Sequence, residues 1–230
     1  MDFFEVTRTQ RAMRRLKPDA ISDADLWTIL DTAIKAPSGG NQQPWNFIVV
    51  RDAEKKRQIG AWYLEGWERA YGGAAKEAML ATPARARTYN SADHLARHLA
   101  EAPVLIIATI RKDQFAVGPT LGASIYPAVQ NLMLAARALG LGTTLTTLHK
   151  LHEDDVKRLL GIPDNVETMA LIPVGVPLGR FGPPTRLPVE KVVYWDGWSA
   201  TRSVSSQSSS PVSSTRRSPS ILPLWVRKAA

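Results

Sequence analysis

The 230-residue chain is long enough for one large domain, and its 44% hydrophobic content is typical of a globular protein with a substantial core. It contains no cysteine, which excludes disulfides, thiolate nucleophiles and cysteine-ligated metals. The formal net charge of +8 does not indicate specific nucleic-acid binding, because five of the basic residues and no acidic residue fall in residues 200–230.

Hydrophobic periodicity and turn residues predict helices that alternate with short apolar strands. Ser22 is a typical N-cap, and apolar residues then recur at helical spacing until Pro37. The segment Pro103–Ile110 is apolar throughout, which is typical of a central strand buried on both faces. The other predicted elements are a strand at Phe47–Val50, helical segments over Ala53–Leu99 with breaks at Gly72-Gly73 and Thr82-Pro83, a helix at Leu121–Leu139 that Gly140-Leu141-Gly142 stops, a short strand at Thr143–Thr147, a helix at Glu153–Leu160 closed by Gly161, and a strand at Thr168–Val176.

The composition changes after Ser199. Ten of the 21 residues from 200 to 220 are serine, with almost nothing to bury, so this segment is predicted to be disordered. Residues Ile221–Val226 are apolar again and fit either a contact with a partner surface or an unstructured end. We therefore predict a folded domain at residues 1–199 and a serine-rich tail at residues 200–230, to which we assign no role.

The loop Ala36–Trp45 connects a predicted helix to a predicted strand and is rich in uncharged polar groups. It carries one hydroxyl, three carboxamides, two glycines and two prolines. Glycine lets a backbone approach a flat ligand closely, and proline stiffens the approach. Such a loop suits a neutral heteroaromatic ring with carbonyl and N–H groups, of which flavin is the obvious example. The alternative is an ordinary connection made of turn residues.

Arginines are concentrated at two places in the chain. Arg8, Arg11 and Arg14 are spaced three apart and would share one face of a helical turn. Arg180 and Arg186 lie in a glycine- and proline-rich arm that we expect to be extended. The planar guanidinium group suits a phosphate. The alternative for the N-terminal group is a solvated basic helix.

Few residues in the chain suggest acid–base, nucleophilic or metal chemistry. His94 and His98 have helical i, i+4 spacing but lack an obvious third metal ligand, and His149 and His152 are predicted to be capping or surface residues. We therefore predict no metal site and no catalytic side chain, and chemistry supplied by a cofactor. No apolar run approaches the roughly 20 residues of a membrane span. We expect a cytoplasmic protein.

Four groups of residues, in this order and at this spacing, resemble the FMN-dependent nitroreductase family over about residues 6–198. The resemblance implies an α+β fold in which helices wrap a mixed central sheet. It also implies an intertwined homodimer with two FMN sites at the interface. The resembling residues are Arg11–Pro18, Ala36–Trp45, Gln130-Asn131 with Gly140–Thr143, and Pro173–Gly175 with Arg186–Pro188.

The same resemblance implies which residues hold the cofactor. Gln10 stands where many members have an arginine and Ala12 where many have a serine, so the phosphate would depend mainly on three arginines. The implied contacts are Arg11, Ala12, Arg14 and Arg186 at the phosphate and ribityl end, Pro37, Ser38, Asn41 and Gln43 at the ring, and Leu145, Thr146 and Thr147 at its N5 side.

The resemblance implies a ping-pong oxidoreductase that takes hydride from NAD(P)H onto flavin N5 and reduces nitroaromatic, quinone or related conjugated acceptors. Four alternatives stay open: reductive dehalogenation, because the pair Thr146-Thr147 resembles the deiodinase-like branch of the family, flavin fragmentation, non-catalytic flavin storage, and binding of a nucleic acid or membrane surface through the basic tail. Acceptor choice is expected to come from the aromatic segment Trp62–Tyr89. Within it, Trp67 and Tyr71 either stack on an acceptor or belong to the core or dimer interface.

Overall fold

Helices alternate with short strands in the computed structural model, which describes residues 1–112 and 120–198. The helices are α1 (Phe3–Thr9), α2 (Asp23–Ala33), α3 (Ala53–Tyr71), α4 (Gly73–Leu80), α5 (Pro83–His98), α6 (Leu121–Ala138) and α7 (Glu153–Leu160). The strands are β1 (Trp45–Val50), β2 (Val104–Arg111), β3 (Gly142–Thr143) and β4 (Val166–Gly175). The predicted α+β class is confirmed.

The helix boundaries follow the local signals in the sequence. The Ser22 hydroxyl oxygen accepts a hydrogen bond from the Asp25 N–H at 3.0 Å, which caps α2 as predicted. Gly72 separates α3 from α4, and a Cβ at that position would collide with the Glu68 carbonyl oxygen. Gly161 ends α7 with φ of +66°, in the left-handed region that glycine adopts without strain.

The four strands form one sheet in the order β1-β2-β4-β3, and all three neighbouring pairs are antiparallel. The resemblance implied a mixed sheet; in the described part of the chain, parallel pairing is limited to the isolated bridge between Ala12 and Thr143. The inner strand β2 is buried along Val104–Ile110, as its uninterrupted apolar sequence predicts.

Two hydrophobic cores lie on opposite faces of this sheet. Alternate residues of β2 point to opposite faces, so Ile106 and Ile110 pack with α2 and α6, whereas Leu105 and Ile107 pack with α3 and α5. The sheet therefore holds α6 on one face and the aromatic helices on the other.

Two local predictions were wrong. Helix α1 ends at Thr9, so Arg8, Arg11 and Arg14 do not share a helical face. The following residues are extended instead, because the Met13 N–H donates to the Thr143 carbonyl at 2.9 Å and adds this segment beside β3. The predicted strand Thr143–Thr147 is also shorter, since β3 ends at Thr143 and only Thr146 pairs again, with Leu171.

The chain divides into two units, Met1–Pro184 and Thr185–Ala230. The described part of the second unit contains a 3-10 turn at Val189–Lys191 and stacked rings of Tyr194 and Trp198. The predicted tail at residues 200–230 lies outside the described residues, and the domain boundary near residue 199 stays a prediction. None of the described helices is long and apolar enough to cross a bilayer.

Candidate functional site

The loop Ala36–Trp45 forms one wall of a cleft of about 500 Å³ beside the first turn of α6. The Gly39 N–H donates to the Ser124 hydroxyl of α6 at 3.3 Å, and the Ser38 hydroxyl oxygen accepts from the Gln43 N–H at 3.0 Å. These contacts fix the shape of the loop. Of the predicted ring contacts, Pro37 and Ser38 line this cleft, and Asn41 and Gln43 lie in the same loop without lining it.

The loop also holds its backbone in an uncommon conformation. Asn41 has φ of 54° and Gln43 has φ of 50°, both in the left-handed region that side chains other than glycine rarely adopt. The Gln43 amide donates to the Asn41 side-chain oxygen at 3.4 Å, so the two carboxamides are paired. Asparagine adopts this region more readily than other side chains, so the strain lies mainly at Gln43, where it costs about 1 kcal/mol or more and points to a functional constraint on this loop.

A second cleft, of about 230 Å³, is lined mainly by arginines. Backbone hydrogen bonds hold the end of the arginine segment, residues 11–15, against the chain that follows β4, because the Lys17 N–H donates to the Val176 carbonyl and the Arg15 carbonyl accepts from the Leu178 N–H. Burial is the main cause that lowers the pKa of Arg14, and the charge of Arg11 lowers it further. The cleft is lined by Arg11, Ala12, Met13, Arg14, Arg15, Ser91, Gly179 and Arg180.

The guanidinium groups of this arginine cleft have no acidic partner among the described residues. Among the residues that the structure describes, none of the four makes an ion pair or donates a side-chain hydrogen bond. Four unpaired cations in one concave space repel one another and favour an anionic ligand.

The third cleft, of about 340 Å³, is aromatic and adjoins the second, because Arg14 lines both. Its floor is the segment Thr144–Leu148, which follows β3. Thr146 exchanges two backbone hydrogen bonds with Leu171, at 3.0 and 2.9 Å, and its hydroxyl is 2.8 Å from the Tyr63 hydroxyl. The remaining lining residues are Trp67, Tyr71, Met79, Thr88, Tyr89, Ala92 and Leu95.

The hydrogen bonds within the protein show which of the predicted donors at the floor of the aromatic cleft are left for a ligand. The Thr146 N–H is used by β4, whereas the N–H groups of Leu145 and Thr147 and the Thr147 hydroxyl donate to no other described residue. Both residues are exposed at the cleft. Leu145 and Thr147, and not the backbone of Thr146, can therefore donate to a ligand in the aromatic cleft.

Trp67 and Tyr71 have different positions. Trp67 is 5% exposed and its indole N–H donates to the Asp93 carboxylate at 3.0 Å, so it belongs to the core beneath α5. Tyr71 stacks on Trp67 with ring centroids 4.6 Å apart and is 39% exposed. Both residues line the cleft, and Tyr71 is the more exposed of the two.

The loop cleft is distant from the other two. The loop cleft lies beside Ser124, near the start of α6. Arg137, near the end of α6, donates a hydrogen bond to the Thr9 hydroxyl at 3.0 Å, and Thr9 lies two residues before Arg11 of the arginine cleft. An α-helix rises about 1.5 Å per residue, so these ends of α6 are about 20 Å apart. Strands β1 and β3 are also opposite edges of the sheet, three strand spacings or about 14 Å apart.

Arg186 belongs to the second unit, where its guanidinium donates to the Thr185 carbonyl at 2.9 Å. Its predicted role at a phosphate therefore stays a prediction.

The burial of His149 was missed by the sequence analysis. His149, expected at a cap or the surface, is 1% exposed, and neither ring nitrogen has a hydrogen-bond partner among the described residues. Burial, together with a smaller contribution from the charge of Lys150, lowers its pKa to about 4. It lies in the 3-10 turn Leu148–His152, whose packing against α3 has no local sequence signal.

The remaining histidines do not form a metal site in the described ranges. His94 and His98 stack on each other with ring centroids 4.3 Å apart. Residues 1–112 and 120–198 contain no group of three or more His, Asp or Glu side chains that could hold a metal ion.

Comparison with known proteins agrees with this arrangement. The nitroreductase family matches residues 7–176 of the chain. An NADH dehydrogenase from Thermus thermophilus is 29% identical over 197 residues, which cover 81% of this chain and 92% of that protein. An iodotyrosine deiodinase from Thermotoga neapolitana is 28% identical over 76% of this chain and 88% of its own length. A nitroreductase with bound FMN from Desulfitobacterium hafniense has a TM-score of 0.64 at 22% identity, covers 84% of this chain and 97% of its own, and shows the same fold.

Proposed function

This chain belongs to the nitroreductase family, and on that basis we propose that it is an FMN-dependent oxidoreductase. It would pass electrons from NAD(P)H to a nitroaromatic, quinone or related conjugated acceptor. FMN bound to this chain would supply the redox chemistry, the transfer of two electrons from the nicotinamide to the acceptor. The side chains of the protein need only bind and orient the reactants, which suits a chain with no evident acid–base pair.

The observation that carries this proposal is the continuity of the arginine and aromatic clefts through Arg14. A ligand with a phosphate at one end and a flat ring at the other fits this combination. Arg11 and Arg14 would bind the phosphate, because unpaired guanidinium groups donate paired hydrogen bonds to its oxygens. Ala12 would lie alongside.

The floor of the aromatic cleft supports the same orientation. A flavin edge placed there would meet the free N–H groups of Leu145 and Thr147 and the Thr147 hydroxyl. Donors held in fixed positions stabilise negative charge that develops on a ring. Thr146 would act indirectly, since its hydroxyl is held by Tyr63 at 2.8 Å.

We further propose that the loop Ala36–Trp45 reaches the flavin from a second protomer. The loop cleft and the aromatic cleft share no lining residue, and about 20 Å of α6 separates their ends in one chain. An isologous dimer packed along α6 would bring the loop of each protomer to the arginine cleft of the other. Pro37, Ser38 and Asn41, with Gln43, would then cover the ring.

Subunit mixing tests this shared site. An Arg11→Ala/Arg14→Ala variant and an Asn41→Ala/Gln43→Ala variant should each bind FMN weakly. Mixed dimers would contain one intact site, so about half of the flavin sites in those dimers should recover. Two copies of the same variant, refolded in the same way, are the control. If mixed dimers form but FMN binding does not recover, the loop and the arginines of the same protomer form each site, and the shared-site proposal is wrong.

An anaerobic titration tests the function. The purified protein should be yellow, NADH or NADPH should bleach the flavin absorption band, and a nitroaromatic or quinone should restore it. A colourless protein that cannot be reconstituted with FMN contradicts the proposal. Bleaching by the nicotinamide without recovery by any acceptor would indicate flavin storage instead.

Reductive dehalogenation is the second candidate. The similarity to an iodotyrosine deiodinase and the unpartnered Thr147 hydroxyl at the cleft floor favour including a halogenated phenol among the acceptors. Release of halide with one equivalent of reduced flavin consumed would identify this activity. Flavin fragmentation would instead destroy the absorption band irreversibly in air.

A further inference from the structure

At the arginine cleft, the N-terminal segment lacks the two side-chain donors, an arginine and a serine, that many family members have at the positions of Gln10 and Ala12. Gln10 does not line the cleft, and its side-chain amide is 4.0 Å from the sulfur of Met133 on α6. Ala12 lines the cleft but has no polar side-chain atom. Taken by itself, this segment would hold a phosphate less firmly than one with an arginine and a serine at these positions.

Two residues from distant parts of the chain line the same cleft. Ser91 comes from the middle of α5 and Arg180 from the arm that follows β4. The Ser91 hydroxyl has no hydrogen-bond partner in the part of the chain that the structure describes. A hydroxyl and a guanidinium group, the two functions that Gln10 and Ala12 do not supply, are thus present at the cleft.

Contacts on both sides fix where the Arg180 side chain begins. Two residues earlier, the Leu178 N–H donates to the Arg15 carbonyl at 3.0 Å. One residue later, the centroid of the Phe181 ring lies 4.0 Å from the guanidinium carbon of Arg137. Arg137 is itself held in place, because it is 7% exposed and donates a hydrogen bond to the Thr9 hydroxyl. The backbone of residue 180 is therefore held between two anchors, and its side chain extends from a fixed point at the cleft.

We propose that Arg180 and Ser91 complete the phosphate site, binding the FMN phosphate together with Arg11 and Arg14. This inference rests on the proposed function, because it assumes that the phosphate of FMN occupies the arginine cleft. A phosphate monoester carries up to two negative charges and three acceptor oxygens. Three guanidinium groups and a hydroxyl match that charge and those acceptors, and Arg15, which also lines the cleft, adds to the positive potential.

A comparison of FMN with riboflavin tests the proposal, because the two flavins differ only by the phosphate. The variants are Arg180→Ala and Ser91→Ala in the full chain, depleted of flavin and titrated by quenching of flavin fluorescence. Arg8→Ala is the matched control, since Arg8 is an exposed arginine that lines none of these clefts. Circular dichroism checks that each variant is folded.

We expect Arg180→Ala to weaken FMN binding about tenfold and Ser91→Ala to weaken it several-fold, with riboflavin affinity unchanged in both. Arg180→Lys should recover part of the loss and Arg8→Ala should show none. Equal FMN affinity in Arg180→Ala and wild type overturns the inference, as does an equal loss for FMN and riboflavin. A raised KM for NADPH with unchanged FMN affinity would assign Arg180 to the electron donor and also overturn it. If the wild-type chain binds neither flavin, the proposed function itself has failed.

Discussion

The buried His149 should make the stability of this protein fall as the pH is lowered. Its imidazole is 1% exposed, and burial lowers its pKa from 6.5 to about 4. The unfolded chain therefore takes up the proton first as the pH falls, so stability is lost below about pH 6.5. From these values, about 2 kcal/mol of unfolding free energy should be lost at this site between about pH 7.5 and pH 5.

The perturbation is His149→Leu, which replaces two unpaired buried nitrogens by an apolar side chain of similar size. Removing unsatisfied polar atoms can be neutral or stabilising, so the variant should be at least as stable as wild type near neutral pH. It should also lose about 2 kcal/mol less than wild type on acidification. Glu153, whose pKa is lowered by its hydrogen bonds to Thr168 and Lys150 despite the opposing effect of burial, stays ionised in this range in both proteins.

The assay is urea unfolding at several pH values, at fixed protein and flavin concentrations, followed by tryptophan fluorescence. Ile59→Val is the control, because Ile59 is fully buried and does not titrate. It should cost about 1 kcal/mol at every pH and keep the wild-type pH dependence. If His149→Leu shows the same pH dependence as wild type, the His149 ring is not held neutral by burial and the reasoning is wrong.

The remaining predictions concern the second unit and the cleft floor. Arg186→Ala should weaken binding of FMN but not of riboflavin, and equal affinities would remove Arg186 from the phosphate site. Deletion of residues 200–230 should leave the flavin content and midpoint of unfolding unchanged, whereas loss of flavin would show that the domain extends into the tail. Tyr63→Phe should cost about 1 kcal/mol of stability, because it removes the hydrogen bond to the Thr146 hydroxyl; an unchanged urea midpoint would show that this bond is not stabilising.

Local physical chemistry accounts for the predictions that were confirmed. A capping hydroxyl at Ser22, a glycine with positive φ at Gly161 and the apolar run of β2 act over a few residues, so they can be identified in the sequence. The prediction that Arg8, Arg11 and Arg14 share a helical face was wrong because arginines at every third position do not by themselves specify a helix, and the same sequence can be extended. A long-range hydrogen bond from Met13 to Thr143 decided between the two conformations.

The sequence by itself determined the polar loop Ala36–Trp45 and the supply of arginines, because these depend on residue type and local order, and its resemblance to a known family implied the α+β class. Only the tertiary structure decided how they are combined. Packing on two faces of one sheet buried His149, joined the arginine and aromatic clefts at Arg14 and separated both from the loop. It also brought Ser91 and Arg180 to one cleft, although they are far apart in the chain. Such contacts arise from sheet pairing and helix packing between distant segments, which no local pattern specifies.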